Sequence, residues 1–265
     1  MRFSKSPLQA NVPSWLIMLL MVTVLPGCAS FDQIFTAQPD PQPVEKSLSS
    51  GDTNQTDGEP IEAQPLDPMQ VKVQALRAQP NLYLSGSTPV KASVKYQFDQ
   101  ALAAKQENNL ALAKQLFQAL ISEQPKLSGP WVQLGDLSMQ QFNQAENSDW
   151  DAKQVFLEAA KSDYEKALRL NQNNYFAHNR LAKVYREMGQ FEQAEQHYNY
   201  AISSYPAYDN AYLNLGILYD LYMGKKQLAL DNYELYQALQ DEPIRQVKGW
   251  IADLGRQIAK AKKEG

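Results

Sequence analysis

Few residues of this chain can do chemistry by themselves. Its 265 residues include one cysteine, Cys28, and two histidines, His178 and His197. A single thiol forms no internal disulfide, and two imidazoles with no cysteine partner make no structural zinc cluster. Neither the phosphate-cradling Gly-x-Gly-x-x-Gly nor the nucleophile turn Gly-x-Ser-x-Gly occurs. His178 and His197 fall on separate expected helices, without a carboxylate at metal or nucleophile spacing, so they read as structural histidines. No metal, cofactor or catalytic residue is expected, and the chain reads as a non-enzyme. Acylation is the one covalent chemistry left, because Cys28 sits just behind a leader.

That leader has Arg2 and Lys5 ahead of an uncharged apolar run from Trp15 to Leu25. The run is about half of the roughly 20 residues that span a bilayer, which suits a cleaved signal rather than a membrane helix. It ends in Leu25-Pro26-Gly27-Cys28-Ala29-Ser30. This resembles the lipobox of bacterial lipoproteins, with Leu25, Gly27 and Cys28 in place and Pro26 where Ala, Ser or Thr is usual. The resemblance implies cleavage after residue 27 and acyl chains on Cys28 as a membrane anchor. Ala29, in place of Asp, implies passage to the outer membrane and a periplasmic location.

The chain is 44% hydrophobic and 20% charged with net charge −4, which excludes both a disordered polyelectrolyte and a multi-pass membrane protein. Loss of Arg2 and Lys5 with the leader leaves 23 basic against 29 acidic residues, which disfavours nucleic acid as a partner. From residue 28 to about 93 the composition shifts, with eight of the fifteen prolines among Ser, Gln, Asp and Glu. Such a segment buries too little apolar surface to offset its ordering entropy and reads as a disordered tether. Met69 to Arg77 breaks the pattern and allows a short strand or helix, left unassigned.

Beyond Val94 the chain repeats. From Tyr175 to Tyr208, the residues Leu181-Ala182, Tyr185, Gly189, Ala194, Tyr198, Ala201 and Pro206 keep the spacing of a 34-residue helix-turn-helix unit. From Asp209 the pattern returns as Tyr212, Leu215-Gly216, Tyr219, Gly224, Ala229 and Tyr233, with one extra residue before Gly224. Small residues sit where helices cross closely, large ones fill the gaps at helical period, and Gly189 and Gly224 supply the turns. These motifs resemble the tetratricopeptide repeat (TPR) family. The fold class expected is all-α: a right-handed helical solenoid of about four units and a C-terminal capping helix. The units are 94–127, 128–174, 175–208 and 209–242, with the cap at 243–264.

Unit 94–127 has Asn108 at its turn. Unit 128–174 is 13 residues longer than the repeat, and the helix N-cap pattern Asn147-Ser148-Asp149 predicts two helices lengthened by about two turns each, joined near Asn147 and projecting beyond the solenoid. Ile244, Val247, Ile251, Leu254 and Ile258 form one apolar stripe, as a capping helix requires.

The resemblance also implies where a partner lies, since the first helices of successive TPR units line a concave groove that holds a peptide or a helix. Mapped by spacing, the groove residues are Asn179, Lys183 and Arg186, then Asn214, Ile217 and Leu221, with Gln133, Asp136 and Gln140 from the long unit. Lys183 and Arg186 would favour a carboxylate. The lysine, asparagine and arginine pattern by which some TPR proteins clamp a C-terminal carboxylate is absent. Ten of fourteen tyrosines lie between Tyr185 and Tyr236. Tyr205 and Tyr208 suit packing between repeats, whereas Tyr200 and Tyr222 are available as surface contacts for a protein or a sugar. The expected role is a lipid-anchored adaptor in assembly of an envelope complex of pilus, secretion, cell-wall or TonB type, with an envelope protein as partner. The alternative is a peptidoglycan- or glycan-associated lipoprotein using its tyrosine-rich face.

Overall fold

A computed structural model describes residues 67–85 and 89–264. The leader, Cys28 and the first part of the tether lie outside the described residues. The helices are α1 (Pro68–Arg77), α2 (Ala92–Gln106), α3 (Leu110–Glu123), α4 (Gly129–Gln144), α5 (Trp150–Leu170), α6 (Tyr175–Glu187), α7 (Phe191–Ser204), α8 (Asp209–Ile217), α9 (Lys226–Leu239) and α10 (Arg245–Glu264). A single π turn, Leu218–Tyr222, continues α8, and the described residues contain no strand. The pairs α2/α3, α4/α5, α6/α7 and α8/α9 form hairpins, and the second helix of each packs on the first of the next. The result is the expected helical solenoid of four units.

Local chemistry explains the punctuation. Asn108, Gly189 and Gly224 have φ of 59°, 72° and 64°, the left-handed conformation that closes the three regular hairpin turns. The fourth turn, in the long unit, instead uses Asp149 as an N-cap, its carboxylate accepting from the Ala152 amide at 3.0 Å. Asn109 and Asn174 cap α3 and α6 in the same manner. Pro125 and Pro206 follow the second helices of their units, where they cannot continue a helix.

Two hairpins are held by a large ring lying on a glycine. Tyr164 of α5 covers Gly135 of α4, and Tyr233 of α9 covers Gly216 of α8. A Cβ on Gly135 would lie 2.5 Å from the Tyr164 ring, and one on Gly216 would lie 2.6 Å from the Tyr233 ring. Ala182 and Tyr198 are both fully buried in the third hairpin. Between hairpins, Leu157, Ala160 and Tyr164 pack with Ala177, Leu181 and Val184 in one continuous cluster. The capping helix packs as expected, with Val247 and Leu254 buried and the Trp250 ring tilted against Tyr233 at 5.3 Å.

Three features differ from expectation. In the long unit α4 has 16 residues and α5 has 21, against 13 and 14 in α6 and α7. The insertion therefore lengthens α5 by two turns but α4 by less than one. The extra residue before Gly224 enters no loop: it is absorbed in the helix as the π turn, where the Met223 amide donates to the Leu218 carbonyl at 3.1 Å. Such single-turn bulges re-aim side chains without ending a helix. Here Leu221 and Tyr222 emerge exposed.

The third difference concerns the tether. Met69 to Arg77, unassigned from sequence, belongs to helix α1, so the folded part begins before Val94. α1 packs on α9 with Val73 buried, and the Arg77 guanidinium donates to the Leu239 carbonyl at 2.9 Å. Five residues on, the Leu82 amide donates to the Ser204 carbonyl at 2.9 Å. Tyr83 then meets Tyr175 and Phe176 edge-on at 5.9 and 6.3 Å. This strap runs along the loops between repeats and takes up carbonyls left over at the ends of α7 and α9. Tyr83→Ala removes its aromatic anchor, worth on the order of 1 kcal/mol per ring pair. Limited trypsin digestion should then cut after Arg77 several-fold faster while far-UV ellipticity holds; unchanged cleavage would show that Tyr83 does not retain the strap.

Candidate functional site

The first helices α2, α4, α6 and α8 present side chains to one another across the units, and the strongest link is ionic. Asp136 of α4 receives Arg180 Nε of α6 at 2.5 Å and Lys105 Nζ of α2 at 3.1 Å. The Tyr164 hydroxyl donates to the same carboxylate at 2.8 Å. Burial alone would push the Asp136 carboxyl up, but the charges of Arg180 and Lys105 with the Tyr164 hydroxyl hold it down, to about 2. Lys105 also donates to Gln133 at 2.8 Å, and Gln140 donates to Asn108 at 2.9 Å. All three groove residues mapped on the long unit thus lie on this floor.

The Lys105–Asp136–Arg180 bridge itself went unseen in the sequence. Its members are the twelfth, ninth and sixth residues of units beginning at 94, 128 and 175. A stagger of three residues per unit with alternating sign is the signal that could have found it.

Toward α8 the floor becomes a seam. Asn214 Nδ2 donates to Asn179 Oδ1 at 3.0 Å, and Asn179 Nδ2 donates to the Tyr208 hydroxyl at 3.2 Å. Asn179, Asn214 and Ile217 are buried, so these three mapped groove residues are withdrawn from the open face, and the two asparagines join α6 to α8. Arg186 is also withdrawn, being only 5% exposed. Its Nη2 binds Glu187 at 2.8 Å, and its guanidinium lies 5.6 Å from the Tyr222 ring centre. Burial opposes its charge, yet Tyr198, Glu187 and Tyr222 around it raise its pKa well above the ordinary value. The paired Lys183–Arg186 clamp expected from spacing is therefore not presented as two open cations. Lys183 is half-buried, and Leu221 stands 55% exposed on the π turn.

The tyrosines divide as expected by position. Tyr208 is buried and Tyr205 half-buried in an aromatic shelf with Tyr175 and Phe176. Tyr200 and Tyr222 are exposed, although each has ring neighbours: His178 and His197 for Tyr200, Phe191 for Tyr222.

The two histidines, read separately in the sequence, meet. His178 Nδ1 and His197 Nδ1 lie 3.0 Å apart, and His178 Nε2 lies 2.9 Å from the Gln172 carbonyl. That carbonyl only accepts, so His178 Nε2 carries its proton and Nδ1 holds the lone pair. Desolvation lowers both pKa values, and the proximity of His178 helps to bring His197 down to about 4. His197 also lines a shallow open hollow with Glu165 and Tyr185. Helical period alone could not have paired residues on α6 and α7, because hairpin register depends on the turn between them. Among the described residues, no group of three or more His, Cys, Asp or Glu is placed to hold a metal, and no helix is long and apolar enough to cross a membrane.

Comparison with known proteins gives a consistent fold. Residues 163–196, from within α5 to within α7, match the family model described as tetratricopeptide repeat. The chain is similar in structure to a thermophilic TPR protein of Thermus thermophilus, with 23% identity, TM-score 0.52, and coverage of 61% of this chain and 80% of that one. It is similar to PilF of Pseudomonas aeruginosa at 20% identity and TM-score 0.51, covering 63% of this chain and 69% of that one. Human IFIT1, solved as a dimer with PPP-AAAA, aligns at 15% identity and TM-score 0.54 over 64% of this chain and 40% of its own. No curated protein matches the chain by sequence. Residues 163–196 thus match a tetratricopeptide repeat, and the described residues fold as a helical solenoid similar to those of tetratricopeptide proteins.

Proposed function

We propose that this chain is a non-enzymatic adaptor of the bacterial envelope, held at the periplasmic face of the outer membrane by acyl chains on Cys28. Its solenoid takes up a segment of an envelope protein during assembly of a larger machine of pilus, secretion, cell-wall or TonB type. The observation that carries the binding role is the braced floor of α2, α4 and α6. Lys105, Asp136 and Arg180 lock three units together, so the face is rigid before any partner arrives and little ordering entropy remains to oppose binding. On the π turn that continues α8, the exposed Leu221 offers an apolar anchor. The excess of 29 acidic over 23 basic residues left after cleavage favours protein over a phosphate-rich ligand. The lipid anchor rests on the lipobox residues Leu25, Gly27 and Cys28.

Crosslinking in intact cells, followed by mass spectrometry, should recover one dominant protein partner. Lys183→Glu combined with Leu221→Lys should reduce that recovery at least tenfold without loss of helicity. Arg186 is unsuitable for this test, because a charge reversal there would act on a buried ion pair. Recovery with isolated sacculi and no protein would instead favour the glycan reading, for which the exposure of Tyr200 and Tyr222 is the supporting observation. Cys28→Ser should move the protein from the membrane to the soluble fraction; retention at the membrane would replace lipidation with an uncleaved anchor.

A further inference from the structure

We infer that His178 and His197 form a two-imidazole site for a divalent transition metal, of which copper(II) is the best fit, bridging the helices of the third hairpin. They are the two histidines of the 265-residue chain, and the fold brings their Nδ1 atoms to 3.0 Å. Two imidazole nitrogens bound to one metal at about 2.0–2.1 Å, at angles of roughly 90–110°, lie about 2.9–3.4 Å apart. The observed spacing falls in that range with little helix movement required. It also equals a hydrogen bond, with His197 Nδ1 donating to the His178 lone pair, so metal titration separates the two roles.

His178 is oriented as metal-ligating histidines are. Its Nε2–H donates to the Gln172 carbonyl at 2.9 Å, which fixes the ring and leaves the lone pair on Nδ1, facing His197. For the second ligand, His197 moves its Nδ1 proton to Nε2. Both rings then stay neutral, and the metal replaces that proton between them. His197 also lines an open hollow with Glu165, Arg169 and Tyr185, from which water reaches that ring. Imidazole suits copper, zinc and nickel, and copper(II) binds most tightly among them. The inference is independent of what the first-helix face binds.

The experiment uses the full chain, purified in detergent without a polyhistidine tag and stripped of metal. Copper(II) chloride titrated by calorimetry should bind at one equivalent, and the electron paramagnetic resonance spectrum of that species should report two imidazole nitrogens. His197→Gln, at a half-exposed position, should keep its helicity and lose at least tenfold in affinity along with the two-nitrogen signal; His178→Gln should do the same. Absence of saturable binding at one equivalent would overturn the site, as would equal affinity in wild type and both variants. The pair would then be a structural hydrogen bond between α6 and α7.

Discussion

Asp136→Asn should destabilise the solenoid by about 2–4 kcal/mol, with the loss carried by the coupling between units rather than by any one hairpin. The carboxylate is the shared counter-ion of Lys105 and Arg180, and its side chain is 12% exposed, against 24% and 22% for the two cations. Removing the charge leaves two cations facing each other across α4 with their desolvation uncompensated. Asp136 is held at about 2 from an ordinary 3.8, a difference worth ~2 kcal/mol. Because this carboxyl is depressed on folding, its contribution is full above the unfolded value and is lost as pH falls through the folded value. Denaturant melts of wild type and Asp136→Asn should therefore differ most above pH 4 and converge as pH falls toward 2. A constant gap across that range would mean that the ion bridge does not carry the effect.

Gly135→Ala should cost about 3 kcal/mol or more, a large effect for one methyl group. The new Cβ would stand 2.5–2.8 Å from three carbons of the Tyr164 ring. That ring is 1% exposed and packed among Leu157, Ala160 and Leu181, so it has nowhere to swing. Either α4 and α5 separate or the ring shifts, and a shifted ring withdraws its hydroxyl from Asp136. The change therefore reaches the floor of the candidate site through the core. Gly216→Ala makes the equivalent contact with Tyr233 in the fourth hairpin, away from Asp136, and serves as the comparison. In Gly135→Ala, Tyr164→Leu should restore part of the loss by making room; a double variant no more stable than the single one would show that crowding is not the cause.

How much of this molecule can be read without coordinates follows from the range of each interaction. Gly189, Gly224 and Asn108 were legible as turns because a left-handed residue is a local requirement. Ala182, Gly216, Tyr198 and Tyr233 were legible as core because both helices of a hairpin repeat the same small and large positions. The extra residue before Gly224 was legible as an irregularity, but nothing local told whether it would loop out or wind into the helix. The candidate site was read less well. Spacing correctly brought Asn179 and Asn214 to neighbouring first helices, but it could not tell that they would bond to each other and be buried. Arg186 was expected on the open face, but it is buried beside Glu187 with the Tyr222 ring of the π turn 5.6 Å from its guanidinium.

From its own order of residues, then, this chain determines four helical hairpins, a terminal cap and a lone cysteine just after the apolar run from Trp15 to Leu25. Those are written in periods of three and four residues and in single capping positions, where each residue's neighbours are its own near sequence. Only the tertiary structure decided that Lys105, Asp136 and Arg180 would share one bridge, that His178 would touch His197, and that α1 and Tyr83 would lie along the repeats. Each of those contacts joins different helices, and its existence depends on how far one helix is rotated and slid against the next. That is settled by close packing of whole hairpins, which a one-dimensional pattern does not carry.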